Sequence, residues 1–334
     1  MYYPLEKKQI LAGFPLPQGA VTTFTNVFPL DGCGWYKIRL HFQAAVAAIV
    51  APYADAQYRW IKGITVRTSR GEVLINNVPG MALYRLNSYL DHAAPYHVPL
   101  LAAGNTVEAI LDIPLTFPFL NRPEDTIFDS GRYSNLELQI ATGTIADLSA
   151  AGAVNWTAPG VTVCIEIIST LSALTDDGTS KPFALPYVST YPLIHADVMT
   201  YWDLESSLDL GLFGFFMYNH GVFGIPFCAA VAAGLDHPTN INFRDTVRSW
   251  LNTVDASSFK SERNRLLPYN PYAVIAATEI PTLEIGMYPH WFVKNGSINE
   301  VYPTGKKSFI RLDWTNATAT DETDLCIFGM RTLR

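Results

Sequence analysis

Charge is scarce in this chain. Asp, Glu, Lys and Arg make up 16% of its 334 residues, against a hydrophobic share of 49%. Disordered chains show the opposite balance, so the composition excludes a largely unfolded protein. Positive charge is scarcer still: 23 Lys and Arg stand against 30 Asp and Glu, for a net charge of −7. Broad neutralisation of a phosphate backbone needs a Lys/Arg-rich face or arm, so sequence-specific nucleic-acid binding is not expected. The basic spot near the N-terminus, Lys7-Lys8, reads as a solvated pair or a local contact.

Cysteine is also sparse. The four residues Cys33, Cys164, Cys228 and Cys326 are far apart and form no CxxC pair, which removes zinc-ribbon and thioredoxin-type chemistry. Cys164 and Cys326 sit in apolar runs and read as small buried hydrophobes; a bridge between them is the alternative. No GxSxG elbow and no HExxH motif occurs. Gly305-Lys306-Lys307-Ser308 has Glu300 where a phosphate loop needs its first Gly, and Lys307 interrupts the Lys–Ser pair. None of the seven histidines stands at the i, i+2 or i+4 spacing of a metal site; His92 and His97, beside Asp91, come nearest and read as loop histidines. No enzyme is expected. The segment Met1-Tyr2-Tyr3-Pro4-Leu5-Glu6 lacks the apolar core of a secretory signal, so the sequons at Asn155, Asn295 and Asn316 are expected to be incidental.

One stretch, Leu210–Leu235, carries no charge and is long enough to span a bilayer. It is interrupted by Tyr218-Asn219-His220-Gly221 and Pro226, so it reads as a buried strand pair, Leu210–Tyr218 and Val222–Val231, rather than as a membrane helix.

What the chain does contain is a repeat. Gly131-Arg132-Tyr133-Ser134-Asn135-Leu136-Glu137-Leu138 returns 174 positions later as Gly305-Lys306-Lys307-Ser308-Phe309-Ile310-Arg311-Leu312, and the two stretches match on to Thr144 and Thr318 without a gap. Both stretches follow a Gly turn and alternate apolar with polar, as a half-buried strand does. Ser88-Tyr89-Leu90-Asp91 is echoed by Ser249-Trp250-Leu251-Asn252, and Val163-Cys164-Ile165 by Leu325-Cys326-Ile327, in the same order. A duplicated module of about 160 residues fits the chain length. The 22 Gly and 22 Pro punctuate many short strands.

The expected organisation is an N-terminal arm over 1–20, a first domain over 21–171, a linker over 172–186 and a second domain over 187–334. The linker is the clearest composition shift, running through Thr175-Asp176-Asp177-Gly178-Thr179-Ser180-Lys181-Pro182. Each half reads as several strands with one inserted helix. In the first half this is Met81–His92, with Leu83, Leu86 and Leu90 on one side. In the second, Asn242 caps a helix lined by Val247, Leu251 and Val254. The fold class is therefore all-β with one inserted helix per half: two tandem eight-stranded jelly-roll β-sandwiches.

Two carboxylate groups, Asp203/Glu205/Asp209 and Asp321/Glu322/Asp324, read as solvated strand faces or turns. Asp321, Glu322 and Asp324 are the metal candidates, for a structural calcium held by oxygen ligands; no other cofactor is expected. The aromatic run Tyr288-Pro289-His290-Trp291-Phe292 suits core or subunit contacts, with sugar stacking as the alternative.

Two matched halves in one acidic chain of this length resemble the double jelly-roll major capsid proteins of icosahedral viruses with an internal membrane, phages of the tectivirus, corticovirus and finnlakevirus types, with larger adenovirus relatives. The repeated strands after Gly131 and Gly305 and the Ser88/Ser249 segments carry the resemblance. It implies a homotrimer whose six similar barrels approximate a hexagon and tile an icosahedral shell, a protein made in the host cytoplasm and residing in the virion capsid. It implies as partners the chain itself, neighbouring trimers, penton and minor capsid proteins, and an internal lipid membrane. The low charge fraction and 13% aromatics fit wide lateral burial. The N-terminal arm, with Tyr2, Tyr3, Leu5, Lys7 and Lys8, is the candidate contact to membrane or neighbour. The rival reading is a jelly-roll glycan-binding or glycan-active protein.

Overall fold

The structure is a computed structural model that describes residues 5–16, 22–50, 52, 56–91, 96–98, 100–101, 104–149, 154–173, 182, 184–193, 200–204, 207–219, 240–247, 249–253, 287–305, 307–315 and 323–332. The chain divides into two compact units, Met1–Ser189 with Leu333 and Thr190–Thr332 with Arg334. The expected linker over 172–186 overlaps the connection between a strand ending at Ala173 and one opening at Ala184, and the two compact units part inside that second strand.

The first unit contains β1 (Leu5–Pro15), β2 (Thr22–Pro29), β3 (Cys33–Ile49), the short helix α1 (Ala56–Arg59), β4 (Ile61–Thr68), β5 (Val73–Val78), helix α2 (Gly80–Asp91), β6 (His97–Val98), β7 (Asn105–Pro114), β8 (Phe128–Asp129), β9 (Asn135–Thr142) and β10 (Val154–Ala173). One sheet has the order β1-β10-β3-β7-β6, with β8 also on β3; the other has β2-β9-β4-β5. Taken as β1-β10-β3-β7 over β2-β9-β4-β5, the eight long strands have jelly-roll order. Period-two alternation explains which faces meet. Ile38, Leu40 and Phe42 of β3, Val163, Ile165 and Ile167 of β10, and Leu136, Leu138 and Ile140 of β9 are buried, while Lys37, Arg39 and Gln43 point outward. Each such aliphatic or aromatic side chain contributes about 1.5–3 kcal/mol on burial. Helix α2 sits where the sequence places it, with Leu83, Leu86 and Leu90 buried. It starts on Gly80 because a Cβ there would stand 2.6 Å from the Tyr58 carbonyl oxygen.

The second unit repeats this plan. It contains the later part of β11 (Ala184–Pro192), then β12 (Thr200–Leu204), β13 (Leu210–Asn219), β14 (Asn240–Asp245), β15 (Ser249–Thr253), β16 (Met287–Trp291), β17 (Tyr302–Pro303), β18 (Ile310–Thr315) and β19 (Thr323–Thr332). Strand neighbours are β11-β19-β13-β16, with β17 also on β13, and β12-β18-β14-β15. Strand for strand this is the order of the first unit. β9 and β18 are the repeated stretches found in the sequence, and Cys164 and Cys326 lie on the equivalent strands β10 and β19. Even the two-residue strands match: β8 pairs with Gly34 and Trp35 at the start of β3, and β17 pairs with Gly211 and Leu212 at the start of β13.

Two expectations are corrected. Residues 1–20 are not a separate arm: Leu5–Pro15 form β1, antiparallel to β10, with Leu5 opposite Thr170 and Pro15 opposite Thr162. The strand supplies the eighth member of the first sandwich, and its low burial is that of a sheet edge. The helix expected from Asn242 is also absent. Asn240–Asp245 and Ser249–Thr253 form a hairpin, and β14 also pairs along its length with β18. Ile241 and Phe243 are buried on the sheet side while Val247 is 75% exposed at the turn, so tertiary pairing overrides the helical spacing. Ser88 and Ser249 are therefore not equivalent, since one lies in α2 and the other in β15. The stretch between β15 and β16, where a counterpart of α2 belongs, lies outside the described residues, as do the expected strands Val222–Val231 and Ala273–Ala276. No helix among the described residues is long and apolar enough to cross a membrane.

Candidate functional site

The chemistry of this chain is on its outer strand faces, its end turns and its sheet edges. At the end of the first unit that holds Leu5, Asp31 gathers four donors: Lys8 Nζ at 2.8 Å, Trp35 Nε1 at 3.0 Å, the Cys33 amide at 3.1 Å and Ser130 Oγ at 3.1 Å. Burial opposes the charged carboxylate, yet these hydrogen bonds outweigh it and hold the Asp31 pKa well below the usual carboxylate range. Lys8 thereby pins β1 to the β2–β3 connection, and Lys7 pins it to β10 through Glu166 at 2.7 Å. Leu5 is in the same strand; Tyr2 and Tyr3 lie outside the described residues.

On the outer face of β3, Arg39 grips Asp112 of β7 with two hydrogen bonds of 2.8 and 2.9 Å, and Lys37 Nζ joins at 2.6 Å. Burial raises the Asp112 pKa, but the two cations more than reverse it. Asn87 of α2 receives the Asp112 amide at 2.9 Å and donates to its carbonyl at 2.6 Å, so a side chain continues the sheet where β6 stops.

The second unit has its own lattice. On β12 and β18, Arg311 forks Asp203 at 2.7 and 2.9 Å and stacks on Tyr201 at 4.0 Å, and Arg244 of β14 pairs with Asp313 at 2.8 Å. On the equivalent face of the first unit the charges fall differently: Val27 of β2, Glu137 of β9 and Arg67 of β4 stand where the second unit has Asp203, Arg311 and Arg244, with Thr25 and Gln139 where it has Tyr201 and Asp313.

The end turns repeat across the two halves. Ser134 donates its amide to Ser69 Oγ at 3.1 Å, tying β9 to the β4–β5 turn. Ser308, 174 positions on, donates its amide to Thr246 Oγ1 at 2.9 Å, tying β18 to the β14–β15 turn.

Of the metal candidates, Asp321 and Glu322 lie outside the described residues. Asp324 accepts the Tyr218 hydroxyl at 2.8 Å, and the described residues contain no cluster of three metal-ligating side chains. Asp203 is taken by Arg311, and Asp209 accepts from Ser207; Glu205 is outside the described set. Trp291 is buried, and Phe292 stacks on Tyr302 with ring centroids 4.9 Å apart, so the aromatic run supplies core packing. Cys33, Cys164 and Cys326 are thiols, with no disulfide between Cys164 and Cys326.

No family model and no curated protein matches the sequence. Solved structures do. The chain is similar to the major capsid protein of Sulfolobus turreted icosahedral virus, at 14% identity and a TM-score of 0.67, over 99% of this chain and 97% of that one. It has the double jelly-roll fold. Similarity to the major capsid protein of bacteriophage PM2 (11% identity, TM-score 0.64) covers 99% of this chain and 98% of that one. Similarity to the PBCV-1 virus capsid (11%, 0.60) covers 99% and 94%. The surface pairs missed in the sequence, Arg39–Asp112 and Arg311–Asp203, depend on which residues oppose each other across strands.

Proposed function

We propose that this chain is a viral major capsid protein with a structural rather than a catalytic role. Copies associate into homotrimers whose six sandwiches approximate a hexagon, and the trimers tile an icosahedral shell. The observation that carries this reading is the strand-for-strand identity of order in the two units, together with near-complete mutual coverage of structures whose names identify them as capsid proteins. A chain with two like modules can meet its copies head to tail, and such contacts close into a ring when each copy is turned by a whole fraction of a circle. The remaining partners in this reading are penton and minor capsid proteins and an internal lipid membrane, with Tyr2, Tyr3, Leu5, Lys7 and Lys8 as the contact to membrane or neighbour. Light scattering on the purified chain tests the core of the proposal: a mass of three chains, with three-lobed particles of hexagonal outline by negative stain, is expected. A monomer at all concentrations refutes it.

A further inference from the structure

One strand pairing in this chain joins elements whose counterparts each have, among the described residues, a neighbouring strand on one side alone. β5 lies at the end of the β2-β9-β4-β5 row, and its outer edge takes β11 in parallel, with Val188 beside Ile75 and Ser189 beside Asn76. Asn76 Nδ2 also donates to Ser189 Oγ at 3.1 Å. The counterpart of β5 is β15, and the counterpart of β11 is β1. Register across the neighbouring strand fixes the positions: Ile75 faces Val66 and Leu251 faces Phe243, while Arg67 faces Val73 and Arg244 faces Ser249. Ile75-Asn76 thus correspond to Leu251-Asn252. Among the described residues, β14 is the one strand beside β15, and β10 is the one strand beside β1.

We propose that β1 of one copy adds in parallel to the outer edge of β15 of the next, repeating between chains the pairing that β11 and β5 make within one. The inference rests on the trimer reading and names the surface that would close it. An open strand edge is a template for another strand, and proteins that must stay apart guard it with charge, proline or a bulge. β15 reads Ser-Trp-Leu-Asn-Thr, without charge or proline, and its register shift against β14 falls at Trp250, ahead of Leu251-Asn252. The two lysines of β1 do not guard its edge, because Lys7 and Lys8 are drawn to Glu166 and Asp31 of their own unit. The first half of β1, Leu5–Gln9, pairs with β10 without a register shift, and its irregularities begin only between Gln9 and Leu11. The contact joins unlike surfaces, so it runs head to tail, and three copies related by a third of a turn close it into a ring.

The test pairs one cysteine in β1 (Glu6→Cys, Lys7→Cys or Lys8→Cys) with Asn252→Cys in the full chain. Adjacent strands bring Cα atoms within the roughly 4.4–6.8 Å that a disulfide spans. On mild oxidation at least one pair is expected to give covalent dimers and trimers on a non-reducing gel, while each single variant stays monomeric there. Amide exchange at Trp250–Thr253 is expected to slow at least about tenfold in the assembled protein relative to dilute monomer. A wild-type trimer with neither cross-link nor added protection overturns this interface and leaves the capsid reading standing. A wild-type chain that never associates overturns both.

Discussion

Gln57→Met is expected to stabilise the first unit. Gln57 lies on α1 and is 7% exposed, yet among the described residues neither its amide nitrogen nor its amide oxygen has a hydrogen-bond partner. It borders a cavity of about 30 Å³ lined by apolar side chains that include Phe42, Trp60, Leu100 and Leu148. A buried polar group without a partner costs about 1–3 kcal/mol. Methionine keeps the length and flexibility of glutamine and removes both polar atoms. Filling the cavity adds about 0.7 kcal/mol at about 24 cal/mol per Å³. A gain of about 2 kcal/mol is therefore expected, which for a unit of this size raises Tm by about 4–8 °C. Differential scanning calorimetry reads the shift, and Gln57→Glu, which buries a charge in the same place, is expected to move it the other way. An unchanged or lower Tm for Gln57→Met would show that the amide is well satisfied and the reasoning wrong.

Other outcomes follow from the sites described. Asp112→Ala leaves the Arg39 and Lys37 charges without their shared partner and is expected to cost about 3 kcal/mol in urea unfolding. Asp31→Asn tests linkage to pH. The folded pKa lies below the unfolded value of about 3.9, so the stabilisation is complete above that value and is lost as pH falls through the folded one. Wild type should be the more stable at pH 7, and its lead should shrink below about pH 4; a constant gap would assign the effect to shape rather than charge. Ser69→Ala and Thr246→Ala each remove one hydroxyl acceptor from an equivalent turn and are expected to cost about 0.5–1.5 kcal/mol apiece. They lie in separate units, so the double variant should show the two costs independently.

Much of this fold was legible because alternation records burial directly. The strands after Gly131 and Gly305 carry their inward residues at every second position, and the sandwich buries those positions. The helix expected from Asn242 shows where that logic runs out. Val247, Leu251 and Val254 have helical spacing, while Ile241 and Phe243 alternate, and the choice belongs to β18, which is remote in sequence. β1 was hidden for a related reason. An edge strand buries little, so its sequence Leu-Glu-Lys-Lys-Gln-Ile resembles a solvated arm until β10 supplies the ladder. The candidate surfaces were least legible, because Arg311 meets Asp203 only through the register of β12 on β18.

The contrast between the outer faces of β2-β9-β4 and β12-β18-β14 has a further consequence. A shell brick made from six copies of one module must let a single sequence serve every position around the ring. Here the same scaffold is encoded twice, so Thr25 and Glu137 vary independently of Tyr201 and Arg311. In the proposed trimer, alternate positions around the ring are thereby chemically distinct, and a neighbouring trimer would meet a corner built from the first module differently from one built from the second. Orientation within the proposed shell would then be written into the gene rather than selected during assembly.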